Sequence, residues 1–380
     1  MIDSKLPKVG TTIFTRMSAL AADSGAINLS QGFPDFDAPS GLVEALGKHA
    51  TAGHNQYAPM AGLPALREQI SLQLKLHRKV DCYPETEITV VPGATEGIFC
   101  AVMAAVKPGD EVIVFDPVYD SYEPTIELAG GRAIHLPLSA PDFRIDWQRV
   151  RDAVTHKTRM IMINSPHNPC GSVLTIQDLQ TLEEIASTHD LLISSDEVYE
   201  HLVFDDAQHH SVLQFPELRS RSFAHFSFGK TFSVTGWKTG YCVAPPALTA
   251  ELRKVHQYVA FVAVTPVQWA LADFMQAQPD YPASLAQFYQ GKRDLFCEAL
   301  NDSRFTFTPS TGSYFQLVDY SAISNEKDVT LAEQWTKEHR VASIPISVFY
   351  EHPPEQHYLR FCFAKSDEVL LQAAEVLCRI

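Results

Sequence analysis

Ser227-Phe-Gly-Lys-Thr-Phe-Ser-Val-Thr-Gly-Trp-Lys238 is the stretch on which the rest of the chain is read. It follows an apolar strand predicted over 222–227 and sets Lys230 behind a glycine, with the Ser227 hydroxyl three residues before it and a second cation, Lys238, eight after. A free lysine amine has a pKa of about 10.4 and is a poor nucleophile at neutral pH until burial or a nearby cation lowers that value. Lys238 and the aromatics Phe228, Phe232 and Trp237 supply both influences. Gly229 and Gly236 let backbone approach a ligand closely. Ser227 and Lys238 offer a hydroxyl and a charge to a phosphate. The set suits an amine that forms an imine with a phosphorylated aldehyde; the plainer alternative is a strand and turn with two surface lysines.

Upstream, short apolar runs alternate with helical stretches, the pattern of a parallel sheet with crossover helices. Strands are predicted over 88–91, 111–115, 159–164 and 191–196. The last ends in Asp196, with Glu197 and Tyr199 behind it. An aspartate there could keep a pyridine nitrogen protonated, which makes such a ring an electron sink, while the tyrosine could bond a ring oxygen. Asn164-Ser-Pro-His-Asn168 is a rigid turn able to offer an amide to a phenolate oxygen. Tyr119 follows the strand 111–115, at the carboxyl end where ligands of open α/β sheets gather, and its ring could stack on a flat cofactor or pack in the core. Pro92-Gly-Ala-Thr-Glu-Gly97 opens a helix running to 106, placing the Gly93, Ala94 and Thr95 amides where an anion is stabilised.

Before this region lies an arm, 1–26, with a short helix over 12–22. The loop Ile27-Asn-Leu-Ser-Gln-Gly-Phe-Pro-Asp-Phe36 turns at Gly32 and presents Phe33. Helices are predicted over 39–52, capped by Ser40 with Leu42, Val43, Leu46 and Ala50 on one side, and over 65–79, after a loop carrying Tyr57. Beyond the lysine stretch come an apolar turn, 258–264, and a long helix through 277. Helices over 282–299 and 330–340, with strands over 314–318, 341–347 and 358–363, form a smaller α+β unit. The division expected is 1–40 as arm and part of the small domain, 41–280 as large domain, and 281–380 as C-terminal small domain.

The chain has 380 residues, 46% of them apolar, enough to bury a substantial core. A formal net charge of −15 speaks against a nucleic-acid partner. With no charged-then-apolar leader and no run of about 18 apolar residues, the expectation is a soluble cytoplasmic protein with no membrane partner. Seven scattered cysteines without CxxC spacing suit reduced thiols, and fifteen histidines without ligand spacing predict no metal.

Gly-Ala-Thr-Glu-Gly97, Tyr119-Asp120, Asn164-Ser-Pro-His-Asn-Pro169, Asp196-Glu-Val-Tyr199 and Ser227-Phe-Gly-Lys230 with Thr235-Gly-Trp-Lys238, in that order, resemble the fold-type I pyridoxal-phosphate aminotransferases over essentially the whole chain. Ser30-Gln-Gly-Phe-Pro-Asp-Phe36, Asn55-Gln-Tyr57, His256-Gln-Tyr258 and Leu359-Arg-Phe-Cys-Phe-Ala-Lys365 are similar to the branch that holds kynurenine aminotransferase, glutamine transaminase K and bacterial methionine aminotransferase. The resemblance implies an α/β fold: a large domain whose mainly parallel seven-stranded sheet is sandwiched by helices, plus a smaller α+β domain. It implies pyridoxal 5′-phosphate as cofactor, with Lys230 forming the imine and moving the proton. Asp196 would pair with the pyridinium nitrogen, Asn168 and Tyr199 would hold the ring oxygen, and Tyr119 would stack on the ring. Gly93, Ala94, Thr95, Ser227 and Lys238 would hold the phosphate. Many relatives carry arginine at that last place, so Lys238 gives a point charge instead of a fork. Arg360 would clamp the substrate carboxylate, assisted by Asn168 and Gly32.

The resemblance further implies a homodimer, in which Tyr57 of the partner subunit reaches the phosphate and Phe261 of the partner subunit walls the substrate pocket. That wall lacks an arginine, which disfavours a donor with a second carboxylate. With Ile13, Phe14, Phe33 and Phe261 as lining, the expected donors are methionine first, then glutamine, phenylalanine, tyrosine and kynurenine, with a 2-oxo acid as acceptor in a ping-pong cycle. A cysteine-S-conjugate β-lyase of the same fold and a non-catalytic ligand sensor are the rival readings.

Overall fold

The computed structural model describes residues 3–380. In chain order the strands are β1 (Ile27–Asn28), β2 (Ile88–Val91), β3 (Glu111–Asp116), β4 (Arg132–Pro137), β5 (Thr158–Asn164), β6 (Leu192–Asp196), β7 (Ser222–Ser227), β8 (Gly240–Val243), β9 (Phe315–Asp319), β10 (Val341–Ala342), β11 (Ile344–Pro345) and β12 (Tyr358–Cys362). Seven of them form one sheet in the order β2-β8-β7-β6-β5-β3-β4. Strands β7, β6, β5, β3 and β4 run parallel, and β8 lies antiparallel between β2 and β7. The central strands are buried on both faces, as a helix-covered parallel sheet demands, so they read as continuous apolar runs. The fold is α/β, as the resemblance implied.

Register places the site. Asn164 pairs with Asp196 across β5 and β6, and Asp196 with His225 on β7, so their carboxyl ends lie side by side. Ser227 and Val91 both pair with Gly240, so the turn after β2, the start of β8 and the lysine stretch after β7 meet at that same edge. A Cβ on Gly240 would stand 2.3 Å from the Phe226 carbonyl oxygen and 3.0 Å from the Ala94 amide nitrogen. Only glycine admits that approach.

The C-terminal part carries the antiparallel sheet β11-β12-β9, and β1 pairs in parallel with β10. The helix Ile13–Ser24 packs on the helix Asp328–Glu338, which ties the arm to that part of the chain. Two local expectations are corrected. Ser40 is the first residue of the helix Ser40–Thr51 and makes no cap; the cap position is Pro39, which has no side-chain donor or acceptor to offer. Val43 is half exposed, and the buried stripe of that helix is Leu42 and His49. His49 is buried because Asp273 takes a hydrogen bond at its Nε2, 2.8 Å away.

Candidate active site

Lys230 sits in the one-turn helix Phe228–Thr231 that breaks out of β7. Its Nζ donates to Tyr314 Oη at 3.0 Å, and that hydroxyl donates to the Gly32 carbonyl oxygen at 2.6 Å. Burial brings the Lys230 ammonium down to about 8, with the positive charges of Lys238 and Arg360 acting in the same direction. Much of the amine is therefore neutral at slightly basic pH.

Asp196, the last residue of β6, is buried, and Tyr122 Oη donates to its Oδ2 at 2.5 Å. The Val198 amide donates to its other oxygen at 3.3 Å. Burial pushes this carboxyl up to about 6 in spite of those bonds, so the site gains by placing a cation against it. Asn164 donates its amide to the Asp196 backbone oxygen at 2.9 Å and accepts from the Asn168 amide N–H at 2.7 Å. It thereby fixes Asn168 beside Asp196.

Arg360 on β12 is 1% exposed, and its guanidinium carbon lies 3.9 Å from the Phe315 ring centroid and 5.2 Å from that of Phe14. One Nη donates to Asn168 Oδ1 at 2.9 Å and the other to the Ser30 carbonyl oxygen at 2.6 Å, while Nε is buried with no partner. Since Oδ1 of Asn168 is taken, its amide NH2 is free to donate elsewhere. At the opposite end, the helix Ala94–Ala105 begins at Gly93, with φ of 81° and no side-chain cap. A Cβ on Gly93 would stand 3.3 Å from Lys238 Nζ, which shows how near that ammonium lies to the open helix end. The Ala94 and Thr95 amides of the first turn and a cation converge there, the physical makings of an anion site, whereas the Gly93 amide, expected to join them, donates to the Val91 carbonyl oxygen at 2.7 Å.

Lys230, Asp196, Arg360, Lys238 and the helix end at Gly93 line one cavity of about 300 Å³, with Tyr122 and Tyr314 behind its wall. Gly93, Ala94, Thr95, Tyr119, Asn168, Asp196, Tyr199, Ser227, Lys230, Lys238, Arg360, Gly32, Phe33 and Phe14 border it. Burial pushes the Tyr119 phenol up to about 12 and likewise raises Tyr199. Ile13, expected as lining, borders an adjoining cavity instead, because it is Phe14 on the next helical position that points to Arg360. Tyr57 and Phe261 contact each other with ring centroids 5.3 Å apart and stand outside this cavity, Tyr57 being 80% exposed. Tyr122 and Tyr314 were missed as site residues. The one clue to Tyr122 was a second tyrosine three places after Tyr119; the clue to Tyr314 was the Gly312-Ser-Tyr-Phe turn before β9.

The profile of aminotransferase class I and II matches residues 24–377. The chain belongs to that family. This aminotransferase is 50% identical to the methionine aminotransferase of Escherichia coli over 98% of its own length and 97% of the relative's. A crystal structure of the Escherichia coli protein YbdL, for which a methionine aminotransferase function was identified, superposes with a TM-score of 0.97 at 48% identity, covering 100% of each chain. Kynurenine–oxoglutarate transaminase 3 of Mus musculus is 34% identical over 98% of this chain and 88% of that protein.

Proposed function

We propose that this aminotransferase uses pyridoxal 5′-phosphate to move the amino group of an apolar or aromatic L-amino acid, methionine foremost, to a 2-oxo acid in two half-reactions. The observation that carries the reading is one cavity with a carboxylate at one end, an open helix N-terminus with an ammonium at the other, and a half-neutral amine between them. Those groups match a pyridinium, a phosphate and an aldehyde. When bound, the cofactor supplies a carbon that takes up the amino group and a ring that draws electrons from the substrate Cα.

The residues divide the remaining work. Lys230, as its neutral amine, would hold the cofactor aldehyde, and it is placed to take and return a proton at the substrate Cα. Asp196, steadied by Tyr122, favours a cationic ring nitrogen, and Asn168 and Tyr199 orient the ring oxygen. Tyr119 covers one ring face. Ala94, Thr95, Ser227 and Lys238 fix the phosphate. Arg360 takes the substrate carboxylate in a bidentate pair, with Gly32 and Asn168 beside it. Phe14, Phe33 and Phe315 meet the side chain. The cations bordering the cavity are Lys230, Lys238 and Arg360, all assigned, so a second substrate carboxylate would be buried without a partner. That and the 50% identity to a methionine aminotransferase place methionine ahead of aspartate or glutamate; glutamine, phenylalanine, tyrosine and kynurenine follow.

The working form is a cytoplasmic homodimer in which Tyr57 and Phe261 of the partner subunit complete each site. The exposure of Tyr57, Tyr258 and Val264 supports a covered face. Residues 41–280 form the large domain, and 1–40 with 281–380 the arm and small domain. Among the described residues no helix is long and apolar enough to cross a membrane.

Absorbance of the holoenzyme before and after L-methionine, without any oxo acid, tests the reading. The visible band of the lysine-linked cofactor is expected to give way to the near-ultraviolet band of its amine form, and Lys230→Ala to lack both the visible band and turnover. Turnover retained in Lys230→Ala, or release of ammonia in place of the band change, overturns it.

A further inference from the structure

Beside the active-site cavity, and sharing Tyr119 with it, lies a second cavity of about 350 Å³ under residues 8–13 of the arm. His135 of β4, Glu123 of the helix Tyr122–Leu128 and Glu351, just after the turn Ser347–Phe349, meet at its edge with one donor atom each, all within 4.8 Å of one another. No role in the amino-transfer chemistry falls to any of them.

The imidazole is prepared for a ligand. Asp116 Oδ1 lies 2.7 Å from His135 Nδ1, so that nitrogen donates to the carboxylate and the neutral imidazole carries its lone pair on Nε2, the atom a metal ion displacing the second proton would take. Nε2 is buried, has no hydrogen-bond partner and stands 3.8 Å from Glu123 Oε1. Two ligands on a tetrahedral ion with bonds of about 2.1 Å lie roughly 3.4 Å apart, so a small side-chain shift brings them to bonding distance. Asp116 Oδ2 accepts the Glu351 backbone N–H at 2.9 Å, which ties the segment carrying the third donor to the same carboxylate. A carboxylate behind a histidine ligand is the usual outer support of a bound zinc. Charge points the same way: Asp116, Glu123 and Glu351 surround the imidazole and Glu127 borders the same cavity, against the cations Lys8 and Arg16, the latter already paired with Glu333.

We propose that His135 Nε2, Glu123 and Glu351 bind a divalent ion of the zinc class, which pins β4 and the Tyr122–Leu128 helix to the C-terminal segment. One nitrogen and two carboxylate oxygens leave a coordination position for water, and an imidazole donor favours zinc over magnesium or calcium. The other grouping of this kind among the described residues, Glu96, Cys100 and His256, is less free: Glu96 and the Met60 carbonyl oxygen occupy both imidazole nitrogens. Spacing along the chain could not show the first grouping, since its members lie on three separate segments.

Calorimetric titration of the chelator-treated holoenzyme with zinc chloride decides the matter. One zinc per chain is expected, with affinity falling at least tenfold in Glu351→Gln, an exposed side chain whose change leaves the fold intact, and in His135→Gln. No binding, or equal binding by the parent and Glu351→Gln, overturns the site and leaves His135 as an imidazolium held by its carboxylates.

Discussion

Lys230 and Asp196 carry opposite consequences of the same burial. The Lys230 amine is brought down to about 8, so capture of pyridoxal phosphate by cofactor-free protein is expected to speed up as pH rises and to level off above 8. Stopped-flow absorbance reads this directly, and a rate flat between pH 6.5 and 9 would remove Lys230 as the rate-setting amine. Asp196 is pushed up to about 6 from a usual carboxyl value of 3.8. Between those values the folded protein keeps a proton that the unfolded chain releases, so stability present below about pH 4 is lost as pH rises through 6. Asp196→Asn never ionises. In cofactor-free protein it is expected to be more stable than the parent at pH 7.5 by on the order of 2 kcal/mol, a gain that vanishes near pH 4, while turnover is crippled. Urea unfolding at both pH values checks the sign; a gain independent of pH would falsify the assignment of the buried charge. Lys230 and Asp196 were legible through their chemistry at or just beyond strand ends. Tyr122 and Tyr314 stayed hidden because a tyrosine beside a turn carries no mark of the carboxylate or amine that folding brings to it.

Among the elements, the anion cradle depends on three chain segments meeting at Gly240. In Gly240→Ala the new methyl would press on the Phe226 carbonyl oxygen and the Ala94 amide, so a loss of about 3 kcal/mol in stability and a marked fall in cofactor affinity are expected together. Equilibrium unfolding and cofactor titration measure both, and near-parental values would show that the β7–β8 approach can relax. Strands buried on both faces were legible: β2 and β7 fall where their apolar runs begin and end. Strand β4 was not, since it lies at the sheet edge with partly exposed faces and lacks a continuous apolar run. Strand β8, as short as β2, was missed because Gly-Tyr-Cys-Val opens on a glycine and lacks the run of β-branched residues that marks Ile-Thr-Val-Val in β2.

At the scale of the whole molecule, Tyr57 and Phe261 touch each other outside this chain's own catalytic cavity, which fits their proposed place in the partner's site. Sedimentation equilibrium is expected to give twice 42.3 kDa. Phe261→Arg should raise kcat/KM for glutamate relative to methionine at least tenfold, because the added cation would pair the second carboxylate; an unchanged ratio would place Phe261 away from the substrate. The sequence by itself determined the alternation of strand and helix, the strand ends that bear Asn164 and Asp196 and the turn that bears Lys230, and, by resemblance, the family. Those features are local, set by apolar runs and the turns that end them. Only the tertiary structure decided that Tyr122 supports Asp196, that Tyr314 bonds Lys230, and that His135 faces Glu123 and Glu351. Each joins residues remote in the chain, and sequence spacing carries no information about pairs that only sheet order and lobe packing bring together.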